Sequence, residues 1–528
     1  MHSDSKHLRE LILIVLIFSV LPIIVISEDK QTPPDKSTIL NLAEKSGFWL
    51  ISQAKSKDKG DTGYYWLNPE DNFVRTGLDC GVAGVGLFLI EIYDKTHNKQ
   101  YLEYAEGSAR WLINQAVSVE KGYKWPHPDG DIPSGWYLSS QGTGTSGIGE
   151  FFLKMYQITH KEEYLKYAKG AAEWLMTCAV QDNGGLYIPY NPDHQAAHGI
   201  SPGREAQTVL FLLHLHQAIK ASKVEITIQL ETRIKDLIKQ LGADDWQIRE
   251  AATVSLTKIG SVATSYLKEA LKSSDPEVRL RSQQILSNLI EEEKYLKYVH
   301  GLAKWLINTA VPENDGYKWQ NDIPYHPHFS IPVAVDVADF FYEAYQSLED
   351  EKYLRYGNGA LQWIMSQAVI KDNTAKWPER PAGNTYFLTY GTGKPSTGLA
   401  LIGEAFLKGY LVNKDKKFLE YAKKQANWVI VQAIEEKEGY KFSRREDEKQ
   451  FSAFTNAQVY RFLKTIYQIT KDNNYLKYAE GTLKWIQNTA SNDGTGYKWT
   501  ATQSSNVCIP YFGDGVTGIA YILLKSEE

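Results

Sequence analysis

A helical segment that ends near a tryptophan recurs seven times along this chain. In its clearest copies the segment reads Tyr-Leu-x-Tyr-Ala-x-Gly and leads to Trp111 and Trp174. Five of the six gaps between successive copies measure 57 to 65 residues, and one measures 131. A period of this length is typical of stacked or ringed copies of one supersecondary unit. The marking residues are Trp49, Trp111, Trp174, Trp305, Trp363, Trp428 and Trp485.

Each repeat is predicted to contain two helices of different character. The tryptophan segment around Tyr104 is amphipathic, which is typical of an outer helix with one wet face. A Gly-Tyr-Lys-Trp element such as that at Gly122 follows, and it predicts a short strand. The next segment opens with small residues and is apolar on nearly all sides, as an inner helix between neighbours would be. These inner helices are predicted to begin near Cys80, Gly144, Pro202, Val333, Ser396, Phe454 and Asp514.

Seven outer and seven inner helices predict an all-α fold, an (α/α)7 toroid of helical hairpins that spans residues 37–223 and 292–528. The chain begins on an outer helix and ends on an inner one, so its two ends can meet and close a ring. An open superhelical solenoid is the structural alternative.

The 131-residue gap indicates an insertion, which we assign to residues 224–291. Two Asp-x-x-Val/Ile-Arg turns, at Asp245 and Asp275, resemble those of HEAT-type helical hairpins. We therefore expect a small inserted α-solenoid. Such stacks commonly bind protein partners, and a tolerated surface insertion without a partner is the alternative.

Residues 1–27 are predicted to be a signal peptide. Lys6 and Arg9 precede an apolar run from Leu11 to Ile26, which is shorter than the roughly 20 residues that a spanning helix needs. We expect residues 28–36 to be a linker and the protein to be secreted or extracytoplasmic. An uncleaved N-terminal anchor is the alternative, and it would be the only membrane contact. A net charge of −5 without a basic block argues against nucleic acid as a partner.

Two of the three cysteines occupy positions that a closed ring would bring together. Cys80 precedes the first inner helix and Cys508 precedes the seventh. Because an exported protein can keep a disulfide, we predict that these two residues pair. Two unrelated thiols are the alternative.

The glycine-rich start of the second inner helix, Gly142–Gly149, and the seven hairpins together resemble the lanthionine synthetase C-like (LanC-like) family. The resemblance covers the toroid without the insertion, and it implies a peptide ligand in a central bowl. Family cyclases hold zinc through a Trp-Cys-x-Gly loop and a Cys-His-Gly loop. The corresponding segments here, Tyr390–Gly398 and Gln450–Asn456, contain no cysteine or histidine. We therefore expect no zinc or other cofactor.

The segment Ala197–Gly203 is similar to the family's His-Gly-x-x-Gly motif, and the resemblance gives His198 an acid/base role. Three carboxylates, Glu150, Asp339 and Glu404, fall at matching places on inner helices. They could serve acid/base chemistry on a glycosidic bond, but equal positions in a repeat favour capping or bridging between helices.

The loops before the inner helices line one mouth of a toroid, and their aromatic, acidic, basic and histidine side chains are candidate ligand contacts. Equivalent positions in the repeat also make Trp125 and Trp319 candidates for structural struts. The candidates are Asp79, Trp125, His127, Asp131, Trp136, His194, Arg204, Trp319, Asp322, His326, His328, Tyr390 and Asp514.

Three functions remain open at this point. The first is an exported LanC-like protein that binds or modifies a peptide without the usual zinc. The second is a carbohydrate-active enzyme of glycoside hydrolase, lyase or epimerase type on an (α/α) barrel. The third is a non-catalytic interaction module. Whether the protein is an enzyme is not decided by the sequence.

Overall fold

A computed structural model describes residues 36–58, 62–127, 136–194, 200–221, 228–321, 328–378, 381, 383–389, 401–437, 439–501, 507–512 and 515–527. The predicted signal peptide and its linker up to residue 35 lie outside these residues. No helix among the described residues is long and apolar enough to cross a lipid bilayer.

Seven inner helices form a closed ring in the described part of the chain. Each packs against the next, and the last packs against the first. In ring order they are α2 (Val82–Thr96), α4 (Thr145–Thr159), α6 (Pro202–Ala221), α11 (Ile331–Leu348), α13 (Ile402–Asn413), α15 (Ala453–Thr470) and α17 (Val516–Lys525).

A second layer of seven helices surrounds this ring, and each outer helix packs against at least one inner helix. Their apolar faces bury the repeated tyrosines, alanines and tryptophans, as the amphipathic pattern predicts. The outer helices are α1 (Lys36–Gln53), α3 (Lys99–Gln115), α5 (Glu162–Thr177), the second half of α10 (Pro276–Thr309), α12 (Glu351–Ser366), α14 (Lys416–Val431) and α16 (Asn473–Thr489).

Five tight turns join an inner helix directly to its outer partner. The inner helix ends on a left-handed residue, such as His97 with φ of 54°. In four of these turns the side chain of the next residue caps the outer helix, and that of Asn98 accepts a hydrogen bond from the backbone N–H of Gln100. Asp350, Asp415 and Asp472 cap their outer helices in the same way. The structural unit is therefore an inner helix followed by an outer helix.

In the described part of the chain, six short antiparallel hairpins follow outer helices and contact the next outer helix around the ring, and a seventh strand pair, Gln320–Asn321 with His328–Phe329, precedes α11. Gly122 shows why glycine recurs there: a Cβ at this position would collide with the backbone carbonyl of Gly170 on α5. The ring of Tyr123 in turn covers Gly170. The pairs are β1 (Val117–Val119) with β2 (Gly122–Lys124), β3 (Val180–Asp182) with β4 (Gly185–Tyr187), β5 (Val311–Glu313) with β6 (Gly316–Lys318), β7 (Gln320–Asn321) with β8 (His328–Phe329), β9 (Val369–Lys371) with β10 (Thr374–Lys376), β11 (Ile434–Glu436) with β12 (Gly439–Lys441), and β13 (Ser491–Asn492) with β14 (Tyr497–Lys498).

A buried tryptophan after each of several outer helices ties the loop back to that helix. The Trp125 indole N–H donates to the carbonyl of Leu112, 13 residues earlier, at 2.7 Å. Trp319 donates in the same way to Leu306, also at 2.7 Å. Such a bond satisfies a carbonyl near the end of the helix. The same bond is made by Trp66, Trp377 and Trp499.

The two ends of the chain meet and complete the ring, as predicted. Helix α17 packs against both α1 and α2. Lys525 at the end of α17 forms an ion pair with Glu91 of α2 at 3.1 Å. In the outer layer, Gly496 lies against the backbone of Trp49 on α1. The fold is therefore a closed all-α (α/α)7 toroid, and the open solenoid does not apply.

The predicted pairing of Cys80 with Cys508 is wrong. All three cysteines lie in the described residues, and none forms a disulfide. The thiol of Cys80 lies in electrostatic range of the Tyr511 phenol. Cys508 instead has Lys498 and Asp493 as its charged neighbours. A disulfide requires side chains aimed at each other at short range, so helix packing and an ion pair close this ring without a covalent bond.

The insertion contains α7 (Ile228–Gln240), α8 (Trp246–Ile259), α9 (Thr264–Ala270) and the first half of α10. It has an apolar core of its own, which includes Ile234, Leu256 and Ile285. Because α10 runs without interruption from the insertion into the outer layer, the predicted boundary at residue 291 falls inside a helix.

The two Asp-x-x-Val/Ile-Arg turns of the insertion have the same structure. Asp245 caps α8 and Asp275 caps α10 through their side chains. The Arg249 guanidinium binds the carbonyl of Ala243 in the preceding loop at 2.6 Å. Arg279 binds the carbonyl of Ser273 at the same distance. In each turn the aspartate of the motif therefore caps the helix that follows, and the arginine ties that helix to the loop before it.

We expect Trp319→Phe to lower the free energy of unfolding by about 1–3 kcal/mol, because it removes the bond to Leu306 and shrinks a fully buried side chain. Urea denaturation followed by circular dichroism measures this. Trp246→Phe is the matched control, since Trp246 is 63% exposed on the insertion. Equal effects of the two substitutions would contradict the structural role of the buried indole.

Candidate functional site

The loops that precede α2, α4 and α6 enclose a cavity of about 190 Å³ at one mouth of the ring. It lies where the inner helices begin, as expected for a toroid whose loops line a bowl. Among the described residues that line it, no side chain is aliphatic. The lining residues are Asp79, Ser140, Gln141, Gly142, Thr143, Tyr190, Arg204 and Gln207.

Asp79 reaches the cavity because two loops approach each other very closely. Its backbone N–H donates to the carbonyl of Gly142 at 2.8 Å. A Cβ at position 142 would collide with the carboxylate of Asp79. Gly77 likewise lies against the backbone of Thr143. The small residues at the start of the inner helices therefore make room for this carboxylate.

Tyr190 and Arg204 form a second wall of the cavity. The guanidinium of Arg204 lies over the ring of Tyr190, 4.6 Å from its centroid, in a cation–π contact. The Tyr190 hydroxyl is 3.3 Å from the hydroxyl of Thr143, and the Tyr190 carbonyl accepts from the N–H of Ser139 at 3.0 Å. These contacts fix the position of Arg204 on the first turn of α6.

Two glutamines in the cavity wall have buried polar atoms without a partner among the described residues. Gln141 is 3% exposed and Gln207 is 2% exposed. The unpartnered atoms are the acceptor Oε1 of Gln141 and the donor Nε2 of Gln207. Because buried polar groups are nearly always hydrogen-bonded, these atoms call for a ligand or water with both donors and acceptors.

Two further carboxyl groups lie beside the cavity wall. Glu205 is 1% exposed, and burial raises its pKa well above the ordinary value against the opposing effect of Arg204. The carboxylate of Asp336 on α11 lies against Gly203, where an added Cβ would be 2.8 Å from Oδ2. Neither residue was predicted from the sequence, because neither shares a motif with another repeat.

Of the predicted ligand contacts, the structure brings Asp79 and Arg204 together in the cavity. His127 is buried and donates its backbone N–H to the carbonyl of Trp136 at 3.0 Å. Trp125 and Trp319 are buried struts whose N–H groups bind backbone carbonyls, so their rings are not open to a ligand. Six predicted residues lie outside the described ones: Asp131, His198, Asp322, His326, Tyr390 and Asp514. His194 and His328 are described in backbone only.

The three carboxylates on the inner helices, Glu150, Asp339 and Glu404, each pair with a neighbouring inner helix. Glu150 is 3.0 Å from Nδ1 of His214 on α6, and Glu404 is 2.8 Å from Nε of Arg461 on α15. Asp339 pairs with Lys408 on α13. None of the three lines the bowl cavity. Their geometry is that of bridges between helices.

Polar links of this kind continue around the whole inner ring. Glu91 of α2 is 3.1 Å from Lys154 of α4. The side chain of Gln217 on α6 donates to that of Ser347 on α11. Lys464 of α15 pairs with Glu527 directly after α17. Together with the Lys525–Glu91 pair they join every successive pair of inner helices, and we call this set the inner circuit.

His214 and Lys408 are among the members of the inner circuit that have shifted pKa values. Burial lowers the pKa of His214, but the carboxylates of Glu150 and Glu343 outweigh it and raise the pKa to about 9. His214 is therefore a cation at neutral pH. On α13, burial disfavours the charge of Lys408, yet Asp339 and Glu343 together hold its pKa above the ordinary value.

Comparisons with known proteins place the chain by fold only. No protein family matches it. A stretch of 91 residues, 16% of the chain, is 26% identical to the AP-3 complex subunit beta of Eremothecium gossypii and covers 12% of that protein's length.

Several solved structures share the arrangement of helices. A sugar epimerase from a ruminal bacterium is 11% identical with a TM-score of 0.46, and the alignment covers 93% of this chain and 98% of that one. Cellobiose 2-epimerase from Bacillus thermoamylovorans is 10% identical with a TM-score of 0.43, over 93% and 99% of the two chains. A family 76 glycoside hydrolase from Bacteroides thetaiotaomicron is 11% identical with a TM-score of 0.45, over 84% and 97%. At these TM-scores the similarity concerns the arrangement of helices and does not extend to ligand or reaction.

We expect Lys408→Met to lower the free energy of unfolding by about 3–5 kcal/mol, because it leaves Asp339 and Glu343 buried without their cation. Urea denaturation measures the effect. Lys417→Met, at an exposed position on α14, is the control. Adding Asp339→Asn and Glu343→Gln to Lys408→Met should restore part of the loss. If the triple variant were no more stable than Lys408→Met, the loss would not come from unpaired charge.

We expect the stabilisation by His214 to depend on pH. Because its folded pKa of about 9 lies above the unfolded value of about 6.5, its contribution is complete below about pH 6.5 and is lost as pH rises through 9. The melting temperature of the His214→Gln variant should therefore lie furthest below that of the natural protein at pH 6. The difference should shrink towards pH 10, and a constant difference would contradict the assignment.

Proposed function

We propose that this protein binds a sugar unit in the bowl cavity and is a carbohydrate-active protein on an (α/α) barrel. The observation that carries the proposal is the cavity lining itself. Among the described residues, a buried donor on Gln207 and a buried acceptor on Gln141 lack partners, and they share about 190 Å³ with Asp79 and Arg204. Sugar hydroxyls donate and accept at once, so one ring can satisfy both amides and also reach Asp79 and Arg204.

The same lining disfavours the peptide that the LanC-like resemblance implies. Peptide sites combine an exposed strand edge or an apolar groove with pockets for side chains. The cavity offers neither, since its wall consists of hydroxyl, amide, carboxylate, guanidinium and phenol groups. A compact polyol fits this chemistry better than an extended chain.

If the protein is an enzyme, Asp79 is the group best placed to move a proton. Its carboxylate lines the cavity, and a carboxyl group beside a bound sugar can supply the acid or the base that glycoside cleavage requires. Glu150, Asp339 and Glu404 are already engaged in the inner circuit, so we assign them to structure.

Glycan-array binding followed by calorimetry on the purified full chain tests the proposal. Asp79→Asn and Gln207→Leu should each weaken sugar binding about tenfold or more, since each removes a hydrogen bond to the ligand. Gln53→Leu, at an exposed position on α1, is the control and should bind normally. Binding of peptides but not of glycans would overturn the proposal, as would normal binding by both cavity variants. Stoichiometric zinc in the purified protein would favour the peptide-cyclising alternative instead.

A further inference from the structure

Arg204 carries a cation into the bowl cavity. Among the residues that the structure describes, no carboxylate lies within ion-pair distance of its guanidinium, although Asp79 lines the same cavity. The guanidinium lies on the face of the Tyr190 ring, 4.6 Å from its centroid. That contact leaves the edge of the guanidinium, with its five N–H donors, available to a ligand.

The surroundings hold this cation in place before any ligand arrives. Tyr190 is anchored by Ser139 through a 3.0 Å backbone hydrogen bond and approaches Thr143 through its hydroxyl. Arg204 lies on the first turn of α6, where the helix dipole adds positive potential. A side chain that is already ordered loses little further entropy on binding. Arg204 is therefore a prepared site for a negatively charged group.

The shape of a guanidinium favours one kind of anion over others. Arginine binds a carboxylate through two parallel N–H···O bonds in a plane. A phosphate dianion would bring a second negative charge into the small cavity that already contains Asp79, and like charges at short range repel strongly. A single planar carboxylate satisfies Arg204 without that repulsion.

We propose that the sugar bound in the bowl is acidic, a hexuronic acid unit. Its carboxylate would pair with Arg204, and its hydroxyls would bond to Asp79, Gln141 and Gln207. In this arrangement the Arg204 side of the cavity binds the carboxylate of the sugar. The side with Asp79 and the two glutamines binds its hydroxyl groups. This inference rests on the proposed function, because it names the class of sugar that the same site takes.

Calorimetry on the full chain with a matched set of small ligands tests the inference. The set contains the methyl glycosides of glucuronic and galacturonic acid, the corresponding neutral glucosides and galactosides, a 6-sulfated galactoside, and a tripeptide with a free carboxyl terminus. We expect at least one uronide to bind about tenfold or more tighter than its neutral counterpart. This preference should weaken as ionic strength rises.

Two substitutions of Arg204 separate its charge from its shape. Arg204→Gln should abolish the preference and give uronide and neutral sugar equal affinity. Arg204→Lys should keep part of the preference, because the charge remains but the two parallel bonds are lost. Asp79→Asn should weaken binding of the neutral sugars while leaving the uronide preference in place. Circular dichroism and melting temperature confirm that each variant is folded.

The outcomes distinguish this inference from the proposed function. If neutral sugars bound as tightly as uronides, or if Arg204→Gln kept the preference, the acidic-sugar assignment would be wrong while carbohydrate binding stood. Tighter binding of the sulfated galactoside than of any uronide would overturn the carboxylate in favour of a sulfate ester. Binding of the tripeptide alone, or of no ligand in the set, would overturn the proposed function together with the inference.

Discussion

The contact that closes the ring between the first and last inner helices depends on one carboxylate, that of Glu91. Glu91 is 3.1 Å from Lys154 on the next inner helix and 3.1 Å from Lys525 on the last one, and its side chain is 4% exposed. A carboxylate at such depth is costly unless it is paired. Burial therefore forces α2 to keep both neighbours. Ion pairs at the other charged links of the inner circuit constrain the rotation of their helices in the same way.

The charged side chains of the inner circuit are distinct from those that line the cavity. Six of the circuit's seven links pair a cationic side chain with a carboxylate, and the Gln217–Ser347 link is uncharged. The cavity instead belongs to the first three units, whose loops differ from the rest. In the third unit the buried Ile188 stands where Trp125 stands in the second, 13 residues after the equivalent helix position. In a ring of similar units, a distinct site can form where one unit differs from the others. Residues that depart from the repeat therefore indicate function better than residues that follow it.

This division explains what could be predicted from the sequence. Periodic positions determine packing, so the tryptophans, the paired helix types and the meeting of the chain ends led to the correct fold. The prediction of a disulfide failed because the meeting of two chain segments in a ring does not by itself give Cys80 and Cys508 the bonding geometry that a disulfide requires. Asp79 and Arg204 were predicted as charged residues in the loops before inner helices, but Gln141 and Gln207 were not predicted. An uncharged amide in a polar loop gives no signal until burial removes its partners.

The position of the insertion follows from the same topology. It occupies the place where other units have a short turn between an inner helix and its outer partner, after α6 ends at Ala221 and before α10 enters the outer layer. Those turns lie at the C-terminal ends of the inner helices, whereas the cavity lies at their N-terminal ends. The insertion therefore emerges on the face opposite the bowl. A protein bound to the insertion would leave the bowl open, and α6 and α10 would be the direct physical links between the two.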